Sequence, residues 1–247
     1  VRLQTVFRQA LDSGILQAAT HTRQGKVFYN DSACFYECGT NKDFRIWFSN
    51  KENSPERLET LFNACLSRYS YEDIMVLSPI KKSATGVEAI NNQLQQICNP
   101  PSPEKKELPV GDAIFREGDK VMHIKNDYDA CWLNQNYQMI DGSGVFNGDV
   151  GVIVEIIPNK KHLFVDYGDK IIHYRGSEIY ENLDLAYSIT CHKAQGSSSP
   201  VVIMLLNTSH YMNLKRNLLY TGITRASQEM YLIADKKALD IAINNNS

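Results

Sequence analysis

The chain has 247 residues, 43% of them hydrophobic and 22% charged, the balance of a globular protein of one large or two small domains. No apolar run approaches the ~18 residues of a membrane span and no signal-type leader opens it, which excludes a membrane partner and sets the expectation of a cytoplasmic protein. A net charge of −2, from 26 basic and 28 acidic residues, excludes a nucleic-acid binder that works through a broad positive field. Any nucleic-acid contact is expected through a few local groups, as one wall of a shared groove.

Val1–Phe7 alternates apolar residues and reads as a strand leading to Arg8, followed by a helix over 10–19 and a polar loop over 21–27. Segments 33–38 and 43–48 are strand-like. Ser54 and Pro55 open a helix, with Ser54 as its cap, and Leu58, Leu61, Phe62 and Cys65 follow at helical spacing. Asp73–Ser78 is a buried strand, Pro79–Lys82 a loop at its carboxyl end, and 86–97 a helix with one apolar face. Strand and helix in alternation argue for a parallel sheet with covering helices.

Asn99–Glu107, with three prolines and a charge run, reads as a linker. Beyond it the period changes. Short strands at 120–124, 151–157, 162–167 and 170–174 are separated by turn residues, the pattern of a small barrel or curled sheet. Segment 127–144 is polar and weakly patterned, and reads as a long mobile loop. Of the aromatic side chains here, Phe146, Phe164, Tyr167 and Tyr174 are expected in the barrel core rather than free to stack on bases. The α/β pattern then returns: a strand over 185–189, a polar loop, a strand over 201–206, a helix ending at Thr224-Arg225 and a strand over 230–234. The economical reading is an α/β domain in two pieces, 1–110 and 182–247, around an all-β insertion at 111–181.

The six cysteines lie at 34, 38, 65, 98, 131 and 191. Only the first two are close, and no second couple accompanies them, so reduced thiols and no metal site are expected.

Two polar stretches carry the chemistry. TCHKAQGSS, from Thr190, follows a strand, and YTGITRA, from Tyr220, ends a helix. They resemble motifs V and VI of the superfamily-one helicases. The likeness is strongest to the RecD-like group, the alpha subunit of exodeoxyribonuclease V and its stand-alone relatives, and extends to TraA-type conjugation proteins. VFRQA near the start resembles motif IV, and DIMVLSPIKK, GDKVMHIKNDYD and FNGDVGVI resemble further blocks in order. The resemblance implies a RecA-like parallel-sheet motor domain interrupted by an SH3-like barrel. It implies the C-terminal half of an ATP-dependent, 5′→3′ DNA helicase, with ATP and Mg²⁺ held mainly by another half.

By that resemblance Arg225 and Arg8 are the arginines that sense and stabilise the γ-phosphate. A guanidinium suits the task because it is always charged and presents a planar donor fork. Without the motif around it, Arg225 reads first as a cation on the last carbonyls of its helix. Gln195 and Gly196 are expected near the nucleotide, Gly196 where the backbone passes close to another group. Thr190 and His192, with Lys193 and Lys81, are expected to hold a single strand through phosphate and sugar oxygens, contacts that need no large field. Implied partners are single-stranded DNA and its junction with duplex, the chain's own N-terminal motor domain, and, in a multi-subunit enzyme, other nuclease and helicase subunits. Many relatives carry an acid two positions after the motif V glycine; here Ser198 stands there, which puts ribose selectivity in doubt. No GxxxxGK[ST] phosphate loop and no Asp-Glu metal pair occur, so the chain alone is expected to have no ATPase. Two other readings stand beside the motor: the helicase part of a conjugative relaxase, and an inactive scaffold that binds nucleic acid.

Overall fold

The computed structural model describes residues 12–30 and 34–246. The expected strand at 1–7 and Arg8 lie outside the described residues. The chain forms two compact units. One takes the described residues up to Ile90 together with those from Ser188 onward, and the other is Asn91–Tyr187.

The first helix, α1 (Gly14–Gln24), starts four residues later than the sequence suggests and runs through the expected loop. Ser13 decides the start. Its hydroxyl accepts the Leu16 N–H at 3.4 Å and donates to Asp43, whose other oxygen accepts the Gly14 N–H at 2.8 Å. Strands β1 (Phe35–Cys38) and β2 (Phe44–Phe48) follow as an antiparallel pair. Helix α2 (Ser54–Leu66) has Asn53 at its N-cap; the Ser54 hydroxyl donates back to the Asn50 carbonyl at 2.6 Å instead of capping. Strand β3 (Ile74–Ser78) leads through a short loop to α3 (Val87–Cys98).

The boundary between the units falls within α3, and the proline-rich stretch is no linker. It runs into the hairpin of β4 (Glu107–Val110) and β5 (Ala113–Arg116), and Lys105 donates to Asn99 at 2.6 Å. Next come β6 (Lys120–His123), β7 (Asp127–Leu133), β8 (Met139–Val145), β9 (Val150–Ile157), β10 (His162–Asp166), β11 (Ile171–Arg175), a short helix α4 (Glu178–Asn182) and β12 (Leu183–Leu185). Among the described residues seven of these strands form one antiparallel sheet in the order β12-β6-β9-β10-β11-β7-β8. The expected loop at 127–144 is the β7–β8 hairpin. Most of its side chains are solvent-exposed, so no apolar alternation marks it. The unit is thus wider at both ends than 111–181, because the later turns of α3 and strand β12 hydrogen-bond inside it.

Its core is Val121, Ile153, Ile156, Leu163, Val165 and Tyr174, all buried. The aromatic residues divide. Tyr174 is core and bonds Tyr167 hydroxyl to hydroxyl at 2.8 Å, whereas Phe146 is 42% exposed and Phe164 lies on the outer face, stacked 4.2 Å from His173. Asp119 is wholly buried and accepts from Gln95 at 2.6 Å, Asn99 at 2.7 Å, the Arg116 N–H at 2.7 Å and the Tyr187 hydroxyl at 2.9 Å. Four neutral donors from both ends of the unit meet on one carboxyl group, which fits the general rule that buried polar groups are hydrogen-bonded; burial raises its pKa and these hydrogen bonds oppose the rise.

The chain re-enters the first unit at β13 (Ser188–Thr190), so the single strand expected over 185–189 is two. Its first half pairs antiparallel with β6 and its second parallel with β3. Then follow β14 (Ser199–Leu206), α5 (Arg216–Ile223), β15 (Ala226–Ala234) and α6 (Lys236–Asn244). Among the described residues the order β1-β2-β15-β14-β3-β13 makes a six-stranded sheet, parallel throughout except for β1. Strand β14 is its spine, with every side chain from Val201 to Leu206 buried, as expected of a parallel strand covered on both faces. Met204 and Leu77 face α5, where a Cβ at Gly222 would strike the Met204 sulfur. The alternate residue Tyr231 bonds Arg68, which follows α2, at 3.2 Å, so α2 covers the opposite face.

Candidate functional site

The site is built on the carboxyl ends of β3 and β13 and on the crossing between β13 and β14. Thr190 stands in register with Ser78, so the loop carrying Lys81 and the turn carrying His192 leave the same edge of the sheet. Residues 191–196 form a tight turn. The Thr190 carbonyl accepts the Ala194 N–H at 3.1 Å, the Thr190 hydroxyl accepts the Lys193 N–H at 3.3 Å, and the His192 carbonyl accepts the Gln195 N–H at 3.2 Å. Spending backbone donors inside the turn leaves the His192 and Gln195 side chains outward and exposed. Cys191 points inward instead, and burial pushes its thiol up to about 12. With His192, Gln195 and, from α5, Asn217, Leu218 and Thr221, it lines a cleft of about 30 Å³, room for one water.

Gly196 closes the turn at φ +90°, and a Cβ there would meet nothing within 4 Å. The expected close approach is therefore absent within the described residues; backbone conformation is what asks for glycine. The chain then crosses the sheet on the α5 face. It descends roughly six residues of strand, about 20 Å, from Thr190 at the carboxyl edge to Ser199 at the amino edge. Ser198 is exposed on this crossing.

Arg225 waits at the lower edge. It follows the end of α5 and precedes β15, and its own carbonyl accepts the Ser199 N–H at 3.0 Å. Nε donates to the Thr221 carbonyl at 3.1 Å, Nη1 to the Ser197 carbonyl at 2.9 Å and Nη2 to the Thr224 hydroxyl at 3.3 Å. Capping of its own helix is thus part of its role, and the same guanidinium also ties that helix to the crossing. The structure brings Thr190, His192, Lys193, Gln195, Gly196 and Arg225 onto one continuous path. Lys81 shares the upper edge with Thr190, on its own loop.

Several polar residues beside this path were not singled out in the sequence. Thr85, Asn207 and His210 are buried together under the Lys81 loop, and Asn217 and Thr221 line the cleft. The one legible signal was Asn207-Thr-Ser-His210, which forms a capping box at the turn of Thr208–Asn213. Among the described residues no cluster of three or more His, Cys, Asp or Glu side chains has metal-binding geometry. The six thiols are free. No helix among those residues is long and apolar enough to cross a membrane.

Two family models match the sequence, the ATP-dependent RecD-like DNA helicase SH3 domain over residues 90–167 and the UvrD-like helicase C-terminal domain over residues 185–233. The chain is 32% identical to the ATP-dependent RecD2 DNA helicase of Deinococcus radiodurans over 98% of its own length and 30% of that protein's. It is 23% identical to the RecBCD enzyme subunit RecD of Buchnera aphidicola, over 90% of this chain and 36% of the relative. It therefore spans about a third of the length of these relatives. Its fold is similar to that of a Bacteroides Pif1 helicase solved in complex with ADP-AlF3 and ssDNA, with a TM-score of 0.52 at 15% identity over 98% of this chain and 53% of that one. Motif order, a mixed α/β unit on a parallel sheet and these matches agree: the chain carries the RecD-like DNA helicase SH3 domain and the UvrD-like helicase C-terminal domain, and is a homologue of the RecD-like helicases.

Proposed function

We propose that the chain is the strand-gripping, arginine-supplying half of an ATP-dependent DNA helicase that moves 5′→3′ on single-stranded DNA. The observation that carries this reading is the path from Thr190 to Arg225. Thr190, His192 and Lys193 sit at its upper end, Arg225 sits at its lower end, and a direct hydrogen bond from Arg225 to Ser197 closes it. In this reading Thr190, His192, Lys193 and Lys81 contact phosphate and sugar oxygens, and Gln195 and Gly196 lie toward the nucleotide. Arg225, with Arg8, reaches the γ-phosphate of ATP bound by an N-terminal half carrying the phosphate loop and the Mg²⁺ ligands. Arg225 leaves its carbonyl partners when a phosphate is offered, since a charged acceptor is the stronger partner for a guanidinium. The Ser197 carbonyl is then released, the crossing shifts, and the strand grip shifts with it. The inserted unit, Asn91–Tyr187, is in this reading the SH3-like barrel of the motor. The whole protein works in the cytoplasm at single-strand–duplex junctions, alone or with nuclease and helicase subunits.

The test is single-strand affinity in the complete protein. Each lost hydrogen bond to the strand is worth about 0.5–1.5 kcal/mol, or roughly 3–10-fold in Kd. Thr190→Val and His192→Ala should each weaken oligonucleotide binding by about that factor, with ATP binding unchanged. Unaltered strand affinity in both variants would refute the assignment.

A further inference from the structure

Beneath the Lys81 loop lies a polar cluster that neither the strand grip nor the nucleotide arginine uses. Thr85 and Asn207 are wholly buried and His210 is 1% exposed. The Asn207 N–H donates to His210 Nδ1 at 3.3 Å, which fixes the neutral ring with its proton on Nε2. That Nε2–H reaches the Thr85 hydroxyl at 3.0 Å, and the Asn207 side-chain amide donates to the same oxygen at 2.7 Å. Two donors from the Asn207–His210 turn converge on one hydroxyl of the 79–86 loop.

The loop is held at its other points too. The Ser78 hydroxyl donates to the Thr85 carbonyl at 2.8 Å. The Val87 and Glu88 N–H groups, in the first turn of α3, donate to the carbonyls of Ile80 and Lys81 at 3.0 and 3.1 Å. The loop folds so tightly that a Cβ on Gly86 would lie 2.5 Å from the Lys81 carbonyl oxygen. Lys81 and Lys82 are exposed on this clamped loop. A buried polar network is not needed to stabilise a core that apolar groups would fill as well; fully satisfied, it specifies one conformation.

We propose that Thr85, Asn207 and His210 are positioning residues. They hold the 79–86 loop in the one conformation that presents Lys81 to a phosphate of the single strand, so that binding does not have to order the loop. This rests on the strand-binding reading of Lys81 given above.

The experiment measures anisotropy of a fluorescein-labelled oligo-dT over a salt series with the complete protein. Lys81→Ala should weaken binding about 3–10-fold and flatten the log Kd against log salt slope by about 0.7, the loss of one single-strand phosphate contact. Thr85→Val, which keeps the shape and removes the hydroxyl, should weaken binding about threefold, and Thr85→Ser should restore it. In the Lys81→Ala background Thr85→Val should add nothing, because the two act through one contact. If Thr85→Val does not fold, His210→Phe carries the same comparison. A Lys81→Ala effect with Thr85→Val silent, or with the two effects fully additive, overturns the positioning role and leaves the strand reading intact. A silent Lys81→Ala overturns both.

Discussion

Arg225 Nη1 donates to the backbone carbonyl of Ser197 at 2.9 Å. The residue that ends one motif is thereby hydrogen-bonded to the segment that begins, about 20 Å up the sheet, at Thr190. Thr190 at one edge and Arg225 at the other are joined by a single crossing with one turn in it.

Gly196 is the point where the crossing bends. With φ at +90°, a side chain there is strained whatever the space around it. Gly196→Ala should destabilise the protein by about 1–2 kcal/mol, and Gly196→Asn by less, since asparagine tolerates positive φ better. Urea unfolding of the three proteins checks this. Equal stability of all three would mean that the turn relaxes freely and does not transmit.

His210 makes the stability of the fold depend on pH. Burial, with a smaller contribution from Lys51, holds its imidazole down to about 4, against an ordinary value of 6.5. Between those values the unfolded chain binds the proton and the folded one does not, so stability rises with pH through this window and is lost as pH falls from 6.5 toward 4. The whole span is worth at most about 3 kcal/mol. His123 and His173 are also held low by burial, so the difference between wild type and His210→Phe isolates this residue. Wild type should lose about 1–2 kcal/mol more than the variant between pH 7 and pH 5. Identical pH profiles would show that the ring is not held neutral.

Asp119 is the corresponding clamp in the other unit. Asp119→Ala would leave the amides of Gln95 and Asn99, the Arg116 N–H and the Tyr187 hydroxyl without their acceptor. Each buried neutral donor left without a partner costs about 1–3 kcal/mol, so a loss of at least about 2–3 kcal/mol is expected. Hydrogen exchange should show residues 91–187 opening first. A loss below about 1 kcal/mol would mean that water replaces the carboxylate easily.

Much of this layout was readable in advance where burial imposes a period. The continuous apolar run of β14 and the helical spacing after Ser54 announce themselves because each face meets the same environment along its length. The β7–β8 hairpin was unreadable for the opposite reason: solvent surrounds most of it, and no pattern is imposed. The division of 183–190 between two sheets was hidden as well, because Leu185 and Ile189 are equally apolar and only their partners differ. At the site, the chemical types and the spacing of Thr190, His192 and Arg225 were visible. The partner of Arg225 was not, since the Ser197 acceptor is a backbone carbonyl that any residue could supply.

The absence of a phosphate loop from the sequence predicts that the 247-residue chain turns over no ATP, with or without DNA. A malachite-green assay of the purified chain checks this. Turnover at the rate of a working motor would overturn the division into halves.

The most direct test of the account is DNA-stimulated ATPase and single-strand affinity measured on one preparation of Arg225→Ala in the complete protein. Removing a charge that matters mainly in the transition state should lower kcat at least about 10²-fold. That is short of the 10³–10⁵ range for arginine fingers, because Arg8 compensates in part. Arg225→Lys should not rescue it, since an ammonium lacks the planar fork. Strand affinity without nucleotide should change little, because in the proposed function Thr190 and His192 hold the strand. Near-normal turnover with lost DNA binding would make Arg225 a strand contact and contradict the division of labour between the two ends of the crossing.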